Sequence, residues 1–175
     1  MTDKELISQL RDQATRRKAF EAMVNQYSQV MYWRIRHIVV RHEDADDVLQ
    51  NAFLKAWVKL DEFRGDAAVS TWLCRICINE ALDFMRKRRE QLSNDGEMAM
   101  LNTLKADQYF DGDETEIKLQ QAISTLPEAQ KTAFTMRYYD DLPYKEMAAI
   151  LGTSEAGLKT NYHLAVKKIK KLFDN

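Results

Sequence analysis

Glycine and proline are scarce in this chain, five and two among 175 residues, against an average usage of roughly 7% and 5%. Tight turns and runs of short strands depend on those residues, so the composition predicts an all-α protein. No apolar run approaches the roughly 18 residues that a membrane-spanning helix needs. The first residues, MTDKELISQL, place acids where a secretory signal is basic and then apolar. The expected location is the cytoplasm, with no membrane insertion. Two cysteines, Cys74 and Cys77, are too few for a disulfide framework. Their Cys-x-x-Cys spacing finds no completing zinc ligands, because the histidines are His37, His42 and His163 and none stands at ligand spacing. A thioredoxin-like site belongs to a strand-helix context, which is not expected here, so two thiols packed inside a helix are the favoured reading. The acid pairs Asp46-Asp47 and Asp140-Asp141 likewise lack a Gly-rich phosphate loop or a nucleophile. No catalytic residue, cofactor or metal site is expected, and a thiol-redox protein stands as the enzyme-class alternative.

An excess of charge of one sign is also missing: 26 Lys and Arg face 27 Asp and Glu, a formal net charge of −1. That excludes only a uniformly basic chain, and the distribution is more informative than the total. From Glu90 to Glu116 the helical periodicity collapses, with Asn-Asp-Gly and Asp-Gly-Asp breakers. Eight acids there face the single base Lys105, a net −7 that leaves +6 on the remainder. The segment reads as a flexible acidic linker between two basic parts.

Before the linker, Ala45, Val48, Leu49, Ala52, Phe53, Ala56, Trp57 and Leu60 recur at three- and four-residue steps and predict a helix over 44–61 with that stripe in the core. Residues 17–40 carry a similar pattern, and a third helix is expected to run to about Arg89, capped at its start by Ser70 or Thr71. After the linker the period returns in short pieces over about 116–125, 128–139, 144–151 and 155–173. The expected fold is therefore two small helical domains, residues 1–89 and 116–175, joined by a linker over 90–115.

Three faces carry chemistry. The stretch YKEMAAILGTSEAGLKTNYHLAVKKIKKLF has a helix, a turn at Gly152-Thr153-Ser154 and a longer helix, the pattern of a helix-turn-helix. On a helical wheel Leu158, Tyr162, Ala165, Val166, Ile169, Leu172 and Phe173 share one sector, while Lys159, Thr160, His163, Lys167, Lys170 and Lys171 lie opposite. Such a basic face suits a major groove, with its first residues near base edges and its later lysines near phosphates; plain solvated surface is the competing reading. In the third helix Trp72, Arg75, Asn79, Asp83 and Arg86 cluster on a polar side, preceded by an expected exposed loop at Phe63-Arg64-Gly65-Asp66 and followed by Arg86-Lys87-Arg88-Arg89. Aromatic rings beside Arg and Asn suit unstacked single-stranded bases, with the cations on phosphates. Equally, Trp72 could pack on a neighbouring helix. Opposite the core stripe of the 44–61 helix stand Asp47, Gln50, Leu54 and Val58, a face that suits docking by another helix, although isolated exposed apolar residues are common.

With these residues in place, the chain resembles the extracytoplasmic-function group of bacterial RNA polymerase sigma factors. DADDVLQNAFLKAWVKLDEFRGDAAVSTWLCRICINEALDFMRKRR is similar to the family's region two, and LPEAQKTAFTMRYYDDLPYKEMAAILGTSEAGLKTNYHLAVKKIKKL to its region four. The resemblance implies a non-enzymatic initiation factor that docks on core RNA polymerase, at the clamp helices of the largest subunit and the beta flap, and melts promoter DNA. It implies that Asp47, Gln50 and Leu54 form the clamp-docking surface, and that the Phe63, Arg64 and Gly65 loop captures a flipped base. Asn79, Asp83 and Arg86 would read the minus-ten element, with Trp72 and Arg75 on the same face. Lys159, Thr160 and His163 would read the minus-thirty-five element, with Lys167, Lys170 and Lys171 on phosphates. The linker would run toward the RNA exit path, and an anti-sigma protein, in some cases membrane-tethered, would hold the factor inactive. Asn161, Leu164 and Val166 stand where many members have arginines, and Pro143 where a Ser often caps the preceding helix, which alters the expected minus-thirty-five sequence. The runner-up is a helix-turn-helix repressor or activator that does not engage core polymerase.

Overall fold

The computed structural model describes residues 2–91 and 113–174; most of the acidic linker, with the charge argument made on it, lies outside the described residues. Among them every regular element is helical: α1 (Asp3–Arg11), α2 (Arg16–Val39), α3 (His42–Val58), a single 3₁₀ turn (Leu60–Glu62), α4 (Val69–Gln91), α5 (Glu114–Ser124), α6 (Glu128–Tyr138), α7 (Tyr144–Leu151) and α8 (Glu155–Asp174). The expected all-α architecture is therefore found. The sequence reading missed α1, a nine-residue helix that buries Leu6 and Leu10. Its start is nonetheless encoded locally, since Thr2 and Glu5 form a reciprocal capping box.

Helices α2, α3 and α4 pack pairwise into a bundle with α1 laid against α2. On α2 the buried residues Ala19, Met23, Met31, Ile35 and Val39 recur mostly at four-residue steps, as a helix buried along one stripe requires. On α3 the buried positions are Ala45, Val48, Ala52 and Ala56; their small side chains let α4 approach with Leu73, Cys74, Cys77, Ile78 and Ala81. Both cysteines are free and buried, and burial pushes the Cys77 thiol far above its ordinary pKa. The α2–α3 corner turns at Val40, a β-branched residue held at φ 78°, a conformation it adopts only where its surroundings over-determine it. The buried Arg36 supplies that constraint: its Nε donates to the Val40 carbonyl at 3.0 Å and its Nη1 to the Tyr32 hydroxyl at 2.9 Å.

Two local expectations are corrected. Neither Ser70 nor Thr71 caps α4; the helix starts at Val69, and the Val69 N–H donates to the carboxylate of Asp3 at 3.0 Å. A residue 66 positions away in sequence does the capping, which no local pattern could reveal. Trp57, placed in the core stripe, is 43% exposed, because it lies at the border of that stripe and packs its ring against Phe20 of α2, centroids 5.1 Å apart, and not into the core between the helices.

In the second unit α8 lies against α5, α6 and α7. Gly152 ends α7 in the left-handed conformation at φ 69°, the αL stop that glycine adopts without strain. The Ser154 hydroxyl then accepts from the Gly157 N–H at 3.0 Å and starts α8. Buried Ala122, Ile123, Leu126, Phe134, Ala165 and Ile169 form a core of this unit. Met136, Leu142, Met147, Ile150 and Leu158 instead join the core of the first unit, since α7 rests on α4 and α6 on α2. The two units thus share apolar contact.

Asp44 sits in the first turn of α3, 8% exposed, with Arg88 of α4 at 3.2 Å and its Oδ2 without a hydrogen-bond partner. Burial raises its carboxyl above the ordinary range, outweighing the Arg88 and Arg41 cations that pull it down. A raised folded-state pKa means that the native state binds the proton more tightly, so this group's contribution falls as pH climbs from the unfolded value of about 3.9 through the folded one. Asp44→Asn removes that decline. Chemical denaturation of both chains at several pH values above about 4 is expected to show the variant gaining on the parent as pH rises; a constant difference refutes the assignment.

Candidate nucleic-acid interface

The recognition face of α8 is laid out as its period predicts. Leu158, Ala165 and Ile169 are buried, Tyr162, Val166 and Phe173 half-buried, and Lys159, Thr160, His163, Lys167, Lys170 and Lys171 all exposed. Leu172 is the correction: at 43% exposed it leaves the apolar sector and borders an open groove beside Lys118, Gln121 and Ala122 of α5, while Phe173 takes the packed position. Leu164 is exposed as well. Tyr162 anchors the helix by stacking on Phe134 of α6, ring centroids 5.8 Å apart. Lys159 Nζ lies 5.7 Å from the Tyr144 ring, which gives this cation a weak orienting contact at the start of the helix.

On α4 the polar residues Arg75, Asn79, Asp83 and Arg86 are exposed along one side and Trp72 is half-buried. The loop before α4 departs from expectation. Phe63 is 6% exposed, with its ring 4.6 Å from that of Trp72; it is a floor under the tryptophan and not an open base-capturing side chain. Hydrophobic burial takes precedence over exposure here because the 3₁₀ turn at Leu60–Glu62 directs the chain inward. Arg64 is exposed and Gly65 takes φ 80°, with Ile7 of α1 only 3.3 Å from where a Cβ would stand. Arg11 of α1 donates to the Arg64 carbonyl. The missed helix α1 is therefore what shapes this loop.

Asp47, Gln50, Leu54 and Val58 emerge together on the outer side of α3, all exposed, with Leu54 at 66% and Val58 at 77%. Trp57 extends the same surface. Its angle on the wheel, at the edge of the core sector and next to Leu54, is the signal that could have placed it there.

The α4 face is not isolated. Arg86 pairs with Asp83 of its own helix at 3.0 Å and with Glu128 of α6 at 2.6 Å. The Glu128 hydrogen bond raises the Arg86 pKa further, fixing the guanidinium in its charged form. Arg75 donates to the Ala149 carbonyl of α7. Asn79 and Arg86 line a cleft whose opposite wall is Thr153, Gly157 and Asn161 of the helix-turn-helix. Among the described residues no group of three or more His, Cys, Asp or Glu is placed to hold a metal ion.

Two family models match the chain: Sigma-70 region 2 over residues 23–91 and Sigma-70 region 4 over residues 116–169. The RNA polymerase sigma-H factor of Pseudomonas aeruginosa is 34% identical over 146 residues, covering 77% of this chain and 76% of the relative. The ECF RNA polymerase sigma-E factor of Escherichia coli is 31% identical over 170 residues, covering 86% and 83%. The chain belongs to the extracytoplasmic-function sigma factors. The sigma factor is also similar to SigW of Bacillus subtilis, at 29% identity over 87% of this chain and 88% of the relative. In fold it matches CnrH, solved in complex with the cytosolic domain of CnrY, with a TM-score of 0.72 at 24% identity over 98% and 97% of the two chains. It also matches RpoE of Bartonella quintana, solved with the anti-sigma factor NepR, with a TM-score of 0.66 at 22% identity over 90% and 98%. The region 2 match spans α2, α3 and α4, and the region 4 match spans α5 to most of α8. The three faces lie inside those matches except for Lys170 and Lys171, which follow the end of the second.

Proposed function

We propose that this sigma factor directs core RNA polymerase to a two-part promoter, using α3 to dock, α4 to hold the melted minus-ten strand and α8 to read the minus-thirty-five duplex. The observation that carries the assignment is the separation of three exposed faces of different chemistry: apolar on α3, mixed amide and cation on α4, and cationic on α8. Asp47, Gln50, Leu54, Trp57 and Val58 meet the polymerase. Asn79, Asp83 and Arg86 contact the opened strand, with Trp72 offering a ring edge and Arg64 and Gly65 a loop, while Phe63 supports Trp72 from beneath. Stacking on one ring and a hydrogen-bonding amide together suit any unpaired base and then select among them. Lys159, Thr160 and His163 stand in the first turns of α8, where a recognition helix meets base edges, and Lys167, Lys170 and Lys171 follow the phosphates. The chain contributes binding energy, and the bond-forming chemistry belongs to the polymerase.

A protein of the anti-sigma class is the proposed regulator, supported by the solved neighbour RpoE, whose partner NepR is an anti-sigma factor. No helix among the described residues is long and apolar enough to cross a membrane, which fits a cytoplasmic factor whose membrane attachment, where present, runs through that regulator.

Transcription in vitro with purified core polymerase on a library of random promoters tests the proposal. Transcripts are expected to start downstream of two enriched elements only when this chain is present, whereas core-independent duplex binding with no transcripts would favour a simple repressor. On a selected promoter, Asn79→Ala is expected to reduce permanganate reactivity of the open complex roughly tenfold and Lys159→Ala to weaken upstream duplex binding with melting intact. Loss of a base contact costs about 1–3 kcal/mol, which covers that factor. Normal melting in Asn79→Ala would remove α4 from the strand-holding role.

A further inference from the structure

The cationic face of α8 is interrupted by a leucine. Leu164 is 42% exposed and stands among Lys159, His163, Lys167 and Lys168, all of them exposed too. A single exposed leucine needs no explanation, but this one continues a row. Ala156, Thr160 and Leu164 follow one another at four-residue steps, each about 40° on from the last at 100° per residue, and all three are exposed. Every member of the row ends in a methyl group. It begins in the first turn of α8, next to Glu155, and spans about 12 Å at 1.5 Å per residue. The rotation of the helix is fixed from the other side, where Leu158, Ala165 and Ile169 are buried and Tyr162 stacks on Phe134. The row therefore points away from the core. The side chains that most often read bases by paired hydrogen bonds are scarce here: α8 contains no arginine and no glutamine, and its one asparagine, Asn161, is half-buried to one side.

We infer that Ala156, Thr160 and Leu164 read thymine methyl groups in the upstream element, so that this chain selects its promoters through apolar contact inside a cationic frame. The inference rests on the assignment of α8 to the upstream duplex made above, and it names the bases that the helix selects. The C5 methyl of thymine is the apolar group that base edges present in the major groove, and alanine and threonine methyls are suited to touch it. A major groove offers both chemistries of this face at once, methyls on its floor for the row and phosphates on its rims for the lysines. A second copy of this chain does not fit, because Lys159, Lys167, Lys168, Lys170 and Lys171 would meet their own like charges. The row has the length of three to four base-pair steps at about 3.4 Å each. The thymines it reads therefore fall within about four consecutive pairs, on either strand. Leu164 has the longest side chain of the three, and its loss is the most visible.

The test uses the full chain and the upstream duplex selected in the library experiment, with each thymine in turn replaced by deoxyuridine, which lacks the C5 methyl and keeps the base pair. At least one thymine inside a four-pair window is expected to show an affinity loss of about fourfold on replacement, the factor that burying one methyl-sized group sets. In Leu164→Ala the loss at one such position is expected to shrink below about 1.5-fold, because the contact that read the methyl is gone. Position 164 is exposed and alanine is the strongest helix former, so circular dichroism should show the helix content of the parent. As a second measurement, promoter selection repeated with Leu164→Arg is expected to lose the thymine preference at that position. A selected element without thymine, or no loss on replacement anywhere in it, would overturn the inference. Equal losses in the parent and Leu164→Ala, or a thymine preference retained by Leu164→Arg, would overturn the part given to the leucine. Lys159→Ala separates the inference from the reading beneath it. If neither Lys159→Ala nor Leu164→Ala weakens the duplex, α8 is not its reader and both fail; if Lys159→Ala weakens thymine and deoxyuridine duplexes alike while no replacement matters, α8 keeps its role and the methyl row fails.

Discussion

Replacing Leu54 and Val58 together by lysine is expected to abolish measurable binding to core polymerase at concentrations that saturate the parent chain. Both side chains are largely exposed in the free protein, and fully burying a residue of this type against a partner is worth about 1.5–3 kcal/mol. Losing both removes about 3–6 kcal/mol, roughly a hundredfold to ten-thousandfold in Kd. Lysine is chosen because it is a strong helix former and because position 58 ends α3, where a cation meets the negative end of the helix dipole favourably. Folding should therefore be untouched, with the melting temperature within a few degrees of the parent. A fluorescence competition assay against labelled parent chain reads the affinity. Binding reduced less than tenfold, with the fold intact, would move the docking surface elsewhere. Trp57→Ala is the finer probe of the same surface, since its ring continues the stripe and its loss removes contact area alone.

Most of the architecture was legible from period and punctuation. The boundaries of α5 to α8 agree with the expected ones to within about two residues, because Pro127, Gly152 and Ser154 mark stops and starts whose mechanism is local. The exposed cationic face of α8 was legible for the same reason: a wheel separates two chemistries whenever one side is apolar throughout. What failed was long-range. Capping of α4 by Asp3 and shaping of the Gly65 loop by Ile7 and Arg11 are contacts between α1 and residues more than fifty positions away. Phe63 illustrates the cost. A Phe-Arg-Gly run between helices looks like an exposed loop, and only the inward turn at Leu60–Glu62 and the partner ring of Trp72 bury it.

The contact between the units was invisible for a different reason. Met136, Met147 and Ile150 fit the core of a small helical domain as readily as they fit a shared core, and a hydrophobic pattern says that a face is covered without saying by what. Charge gave no better guide. Arg86 and Arg89 stood out as free cations for phosphate, whereas their partner Glu128 is a single acid in a first helical turn, where acids are common for their dipole alone. The pairing becomes evident only once α6 is seen against α4. That same ambiguity separates α4 from α8: the α8 cations that follow Lys159 face solvent, so their contribution to DNA binding is not offset by an internal competitor.

Salt dependence makes that difference measurable. Each lysine that neutralises a phosphate contributes about 0.9 to the slope of log K against log salt concentration, so changing Lys167, Lys170 and Lys171 together to glutamine is expected to flatten the slope by about 2.7. If affinity is unchanged near 1 M salt, the loss at 0.1 M is on the order of several hundredfold. All three residues are exposed, and surface substitutions of this kind change stability by about 0.5 kcal/mol or less each, so the loss should not come from unfolding. Phosphate contacts carry no sequence information. The variant is therefore expected to rank upstream elements in the same order as the parent, measured by duplex titration across a salt series. A changed ranking would place these lysines at base edges, and an unchanged slope would remove them from the DNA altogether.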